Sequence, residues 1–203
     1  IYHGANHYTI KRADYDVKKL LRKEKRIQSN IIMGHSRLIT NGLDDNQPVV
    51  RDGICVIHNG IVVNDQEIWQ SLNLKQKFQI DSEVIIALAI KFLEEGLAPE
   101  DIPKKIVSTC KGTIGCALII PNIGKTILFS NNGSLFSGNV DTGTYFASER
   151  YPLEKIGCID IQQIWSDGLS IDIPEAADII INDYNTREED LIPAFKNIAK
   201  EEA

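Results

Sequence analysis

The chain has 203 residues, of which 43% are hydrophobic and 25% charged, which is enough to build one buried core. Lys plus Arg total 22 against 28 Asp plus Glu, a formal charge of −6, so the broad cationic surface on which phosphate contacts depend is missing. The longest apolar runs, such as Val84–Ile90, fall far short of the ~20 residues that span a bilayer, and no cationic start with a following apolar run marks a signal peptide. Nucleic-acid and membrane partners are disfavoured, and a cytoplasmic location is expected.

In chain order, Ile1–Ile10 is strand-like and Ala13–Lys25 is a basic amphipathic helix. The basic cluster Lys18–Lys25 within it reads as a solvated helix face. Asn30–Thr40 begins as a buried strand and Asn41–Gln47 carries turn chemistry. Short strands are expected at Pro48–Val50, Ile54–His58 and Ile61–Val63, with Asn59-Gly60 as the hairpin turn between the last two. Asn64 or Asp65 caps a helix to about Ser71. Asp81 caps a longer one that places Ile85, Leu88, Ala89, Phe92 and Leu93 on one face and stops at Gly96.

A third helix covers Asp101–Cys110. Strands follow at Gly112–Ile120, Thr126–Ser130, Ser134–Ser137 and Thr144–Ala147, separated by turns rich in Asn and Gly. A short helix near Tyr151–Lys155 and strands at Gln162–Trp165 and Leu169–Ile173 complete the body. Strands, then helices, then an antiparallel meander give an α+β layered domain rather than alternating βαβ units. The chain turns polar and charged from Asp183, so residues 1–181 are read as one domain and 182–203 as a charged helix or linker.

The four cysteines, Cys55, Cys110, Cys116 and Cys158, form no CxxC pair and sit among apolar neighbours, as reduced core cysteines do. His3, His7, His35 and His58 have no carboxylate at zinc-site spacing, so no metal site is expected.

Three segments remain: Gly34–Gly42 (GHSRLITNG), His58–Gly60 (HNG) followed by Ile61, and Asp81–Val84 (DSEV). Each alone has a plain explanation. Asn-Gly makes a turn, Asp81 makes a cap, and Arg37 on an apolar strand makes a structural ion pair, since an unpaired buried guanidinium is costly. Their order carries more. It resembles the glutaminase domain of class II glutamine amidotransferases, in particular the glutamine–fructose-6-phosphate amidotransferase branch, whose pattern runs G-H-T-R-W-A-T-H-G, H-N-G-I and a D-T-E that opens a helix. Lys111–Ile120 (KGTIGCALII) and Tyr145–Arg150 (YFASER) are similar to that family's L-x-G-x-y-G and F-x-A-S-D segments, so the resemblance runs colinearly from about Ile31 to Lys155.

The resemblance implies an N-terminal-nucleophile hydrolase fold, a four-layer αββα sandwich of two antiparallel sheets. It also implies hydrolysis of L-glutamine to glutamate and ammonia through a γ-glutamyl thioester, with no metal or organic cofactor. Arg37 matches the arginine that clamps the glutamine α-carboxylate, a task suited to a planar bidentate fork. Asp81 matches the carboxylate that pairs with the α-ammonium. Leu38, Thr40 and Asn41 match the loop lining that pocket. Asn59 and Gly60 match the oxyanion hole, where glycine lets the backbone come close.

Leu38 stands where that branch carries Trp, and Asn41 where it carries His. The family's nucleophile is an N-terminal cysteine, and neither that residue nor the first strand is found before Ile1. The chain is therefore read as a truncated form, inactive by itself; the alternative is a non-catalytic glutamine-binding regulatory module, and a third reading is a plain interaction domain. A synthetase or isomerase domain or subunit is the expected ammonia acceptor, amino-sugar formation the expected pathway, and a homodimer is compatible with the pattern.

Overall fold

The computed structural model describes residues 1–3, 8–10, 29–36 and 47–173. Along the chain the elements are β1 (Val49–Arg51), β2 (Ile54–Val62), α1 (Asp65–Leu72), α2 (Ser82–Glu94), α3 (Ile102–Thr109), β3 (Gly112–Ile120), β4 (Lys125–Ser130), β5 (Phe136–Val140), β6 (Gly143–Ala147), α4 (Arg150–Lys155), β7 (Ile159–Gln163) and β8 (Leu169–Asp172). They build two antiparallel sheets, one of five strands in the order β1-β2-β3-β4-β8 and one of three in the order β6-β5-β7.

The layers follow from side-chain alternation along the strands. Ile54, Val56 and Val62 of β2, with Ile114, Cys116, Leu118 and Ile120 of β3, turn to one face and pack with Val84–Ala89, Phe92, Ile102 and Ile106 from the helices. Ile57, Ala117 and Leu128 turn to the other face and pack with Leu135, Ile164 and the partly buried Phe146 of the second sheet. Helix α4 packs against β5, β6 and β7 through the buried Leu153. Helices, sheet, sheet and helix make the expected αββα order.

Helix α2 is apolar nearly all round. The expected face of Ile85, Leu88, Ala89 and Phe92 is buried, but so are Val84, Ile86 and Ala87, because neighbouring helices cover what the sheet does not. Leu93 is only partly buried.

Several sequence expectations change. Ile1–Ile10 is not a strand among the described residues: Tyr2 makes single bridges to Tyr8 and Ile31. Nor do residues 31–36 form the buried strand expected from Asn30; Ile32 is 55% exposed. Neither expected cap acts as one. The Asn64 side chain bonds the Thr109 carbonyl and the Lys111 N–H instead, tying α1 to the end of α3. Strands β5 and β7 lie at Phe136–Val140 and Ile159–Gln163 rather than at Ser134–Ser137 and Gln162–Trp165. The predicted helix Ala13–Lys25, the turn at 41–46 and the boundary near Ile181 with its charged tail lie outside the described residues.

Candidate functional site

Between the two sheets lies a cavity of about 240 Å³, lined by Gly34–Ser36, Asn59, Gly115 and Ala147–Ser148, among others. These residues come from four of the segments singled out in the sequence, far apart along the chain. Asn59 reaches the cavity because it alternates with Ile57 on the sheet-facing side of β2. Gly115 lies opposite Asn59 on β3, and a Cβ there would stand 3.2 Å from Ser134 Oγ. Arg37, Leu38, Thr40 and Asn41 lie outside the described residues.

The hairpin expected at Asn59-Gly60 does not form. Both residues lie inside the continuous strand β2, opposite Gly115 and Ile114 of β3. The glycine serves close approach instead of a turn. Its φ is +142°, and a Cβ at Gly60 would stand 2.0 Å from the Thr113 carbonyl oxygen and 2.9 Å from His58 Nε2.

Asp81 precedes α2 but does not cap it. Its backbone is already helical (φ −61°, ψ −28°), and its carboxylate accepts the Val62 N–H of β2 at 2.8 Å. The expected cap is thereby replaced by a tie between the start of α2 and the strand that carries Asn59 and Gly60. Asp81 and Gly60 do not line the cavity.

His58 completes the tie. The Thr113 carbonyl, 3.1 Å from Nε2, can only accept, which assigns the proton to that nitrogen. Nδ1 is then left to accept from Ser82 Oγ at 3.2 Å, and Asp81 Oδ2 stands 4.0 Å away. Burial holds the His58 pKa below the ordinary histidine value, against the pull of the Asp81 carboxylate and the Thr113 carbonyl. The imidazole is thus a neutral brace between β2, β3 and the first turn of α2.

Glu83 has no assigned role in the sequence reading, yet it is fully buried and organises the approach to Asp81. Its carboxylate accepts Arg51 Nη1 at 2.6 Å, the Lys77 N–H at 3.0 Å and the Phe78 N–H at 2.8 Å. Arg51 also donates to the Lys75 carbonyl and lies over the Trp69 ring. A carboxylate in an otherwise apolar helix was the signal for such a partner; the arginine that answers it sits on β1.

Cys55, Cys110 and Cys116 are buried. Burial pushes the Cys55 and Cys110 thiols up to about 12, and Cys116 well above its ordinary value. Such thiols are poor nucleophiles near neutral pH. Cys158 is only half-buried, away from the apolar core that was expected to enclose it. Among the described residues no group of three His, Cys, Asp or Glu side chains is placed to hold a metal ion, and no helix is long and apolar enough to cross a membrane.

Residues 35–155, more than half of the chain, match the family model described as "Glutamine amidotransferase domain". The chain is 27% identical over 138 residues to glutamine–fructose-6-phosphate aminotransferase (isomerizing) of Mesorhizobium japonicum and 28% identical over 138 residues to that of Rhizobium leguminosarum bv. viciae. Each match takes in 64% of this chain but only 23% of the relative's length. Among solved structures, glutamine phosphoribosylpyrophosphate amidotransferase from B. subtilis shares the fold at a TM-score of 0.53 and 20% identity, over 68% of this chain and 34% of that one.

Proposed function

The chain belongs to the glutamine amidotransferase domain family, and from that premise we propose that it binds L-glutamine in the cavity between its sheets and, in its full-length protein, releases the side-chain amide as ammonia. The observation that carries this reading is the convergence of Gly34–Ser36, Asn59 and Ala147–Ser148 on one cavity. Glutamine is a zwitterion with an amide at its far end, so its site needs a cation, an anion and amide-directed donors. By family likeness Arg37 would clamp the α-carboxylate, and Leu38, Thr40 and Asn41 would line the pocket wall. Asp81, which lies outside the cavity lining and holds the Val62 N–H of β2, would pair with the α-ammonium from beside the cavity.

The chemistry is acyl transfer. A cysteine thiolate attacks the side-chain carbonyl, the C–S bond forms, and the oxygen becomes negative. The Asn59 side-chain amide and the Gly60 N–H would receive that oxyanion. Collapse breaks the C–N bond and releases ammonia, with the proton supplied by the nucleophile's own α-amino group. Water then cleaves the thioester to glutamate. The raised pKa values of Cys55, Cys110 and Cys116 disfavour them as nucleophile, and the family likeness assigns that role to an N-terminal cysteine.

The acceptor would lie in a companion synthetase or isomerase domain or subunit. Because the chain spans about a quarter of the curated relatives, the amino-sugar reading rests on sequence similarity alone. The test uses the full-length natural protein. Titration calorimetry should show L-glutamine binding that Arg37→Ala abolishes. Asn59→Ala should leave binding in place and slow ammonia release ~10²–10³-fold, the usual effect of losing an oxyanion donor. An Arg37→Ala variant that binds glutamine within about tenfold of wild type would remove the pocket assignment.

A further inference from the structure

The edge of β2 beyond the end of β1 raises a question that the family reading leaves open. Strand β1 stops at Val49, opposite Val56, yet β2 continues through Asn59 and Gly60 to Val62. Extending that register places Gln47 opposite His58. The main-chain pairing of β1 with β2 begins only at Val49 and does not reach that position. The Gln47 side chain supplies the rung. Its Nε2 donates to the His58 carbonyl at 2.7 Å, and its Oε1 accepts the His58 N–H. A primary amide carries one donor and one acceptor in a plane, as a peptide does, and Gln47 is buried at 8% exposure.

Four residues further along β2, the Asp81 carboxylate accepts the Val62 N–H. One edge of the Asn59–Gly60 segment is paired with β3, and its other edge is therefore bracketed by two side-chain anchors, Gln47 at His58 and Asp81 at Val62. Asp81 already has a place in the glutamine site. Gln47 has none.

We propose that Gln47 is a positioning residue of the glutaminase site, a side-chain rung that fixes the plane of β2 so that Asn59 and Gly60 aim their donors at the oxyanion. This rests on the function proposed above. Donor alignment matters to within a fraction of an ångström, and a misplacement of about 1 Å can lower a rate about 10²-fold. Gln47 would touch no substrate, so its effect should fall on kcat and leave glutamine affinity nearly unchanged.

The experiment compares Gln47→Leu and Gln47→Glu with wild type in the full-length natural protein, measuring ammonia release, glutamine KM and calorimetric Kd, and thermal unfolding. Gln47→Leu should lower kcat roughly 10- to 100-fold with Kd within about threefold. Gln47→Glu adds a control that a purely structural role would not pass. Ionised, the new carboxylate faces the His58 carbonyl and cannot donate; protonated, it offers one O–H and one C=O and restores the rung. Its kcat deficit relative to wild type should therefore shrink at least about fivefold between pH 8 and pH 6, because a buried carboxyl ionises late.

A folded Gln47→Leu with kcat within about threefold of wild type overturns the proposal. So does a Gln47→Glu deficit that does not change with pH, and so does the failure of both variants to fold at every pH, which would make Gln47 structural only. Wild-type protein that binds no glutamine would instead overturn the reading on which the proposal rests.

Discussion

Replacing Glu83 by alanine offers a sharp test of how the site is held. The carboxylate is fully buried, and three donors converge on it: Arg51 Nη1 at 2.6 Å, the Lys77 N–H at 3.0 Å and the Phe78 N–H at 2.8 Å. Alanine would leave a guanidinium with only 6% of its side chain exposed facing an empty space, and two backbone donors without their acceptor. Removing one partner of a buried ion pair destabilises by ~3–5 kcal/mol, a large share of the ~5–15 kcal/mol that holds an ordinary domain together. Arg51 keeps Asp52 at 3.2 Å, but that carboxylate is half exposed and offsets little. Urea unfolding should show a lower midpoint with an unchanged slope. The double variant Arg51→Met, Glu83→Leu should recover only part of the loss, because it removes the unpaired guanidinium but still leaves the Lys77 and Phe78 N–H groups without their acceptor. A Glu83→Ala loss below about 1 kcal/mol would refute the reasoning, because it would mean that water reaches Arg51.

Two further substitutions probe the strand itself. Gly60→Ala should destabilise the fold by ~2–5 kcal/mol, combining a strained φ of +142° with a Cβ placed 2.0 Å from the Thr113 carbonyl; an unfolding midpoint equal to wild type would contradict it. His58 gives a pH dependence with a fixed sign. Its folded pKa lies below the unfolded value near 6.5, so the unfolded chain takes up the proton first as the pH falls. Stability from neutral His58 is fully present above about pH 6.5 and declines below it until the folded pKa is reached. His58→Gln should flatten the unfolding midpoint between about pH 5 and 7, and identical pH profiles for the two proteins would count against the neutral brace.

The sequence carried much of the architecture where apolar pattern decides it. Gly112–Ile120 and the helix after Asp81 are long apolar runs, and both formed where expected. β7 was misplaced because Ile159–Gln163 is exposed at nearly every position, leaving no alternation to read. The Asn59-Gly60 error is more instructive. Asn-Gly is a strong local turn signal, but the reason for Gly60 is the Thr113 carbonyl, more than fifty residues away on β3. Local chemistry cannot distinguish a glycine that turns the chain from one that admits a neighbouring strand. Asp81 failed as a cap for a similar reason, since the Val62 N–H competes for its carboxylate. Glu83 and Gln47 were illegible because their roles lie entirely in distant partners, the Arg51 guanidinium and the His58 main chain. Of the residues in those motifs, Gly34–Ser36, Asn59, Gly115 and Ala147–Ser148 line one cavity, whereas Gly60 and Asp81 lie outside its lining.

Intact mass spectrometry of the full-length natural protein, treated with a diazo-ketone analogue of glutamine, tests the central claim most directly. The account predicts one covalent adduct, on a cysteine other than Cys55, Cys110, Cys116 and Cys158, whose formation L-glutamine slows and Arg37→Ala prevents. A protein that takes up no adduct and releases no ammonia from glutamine would contradict it.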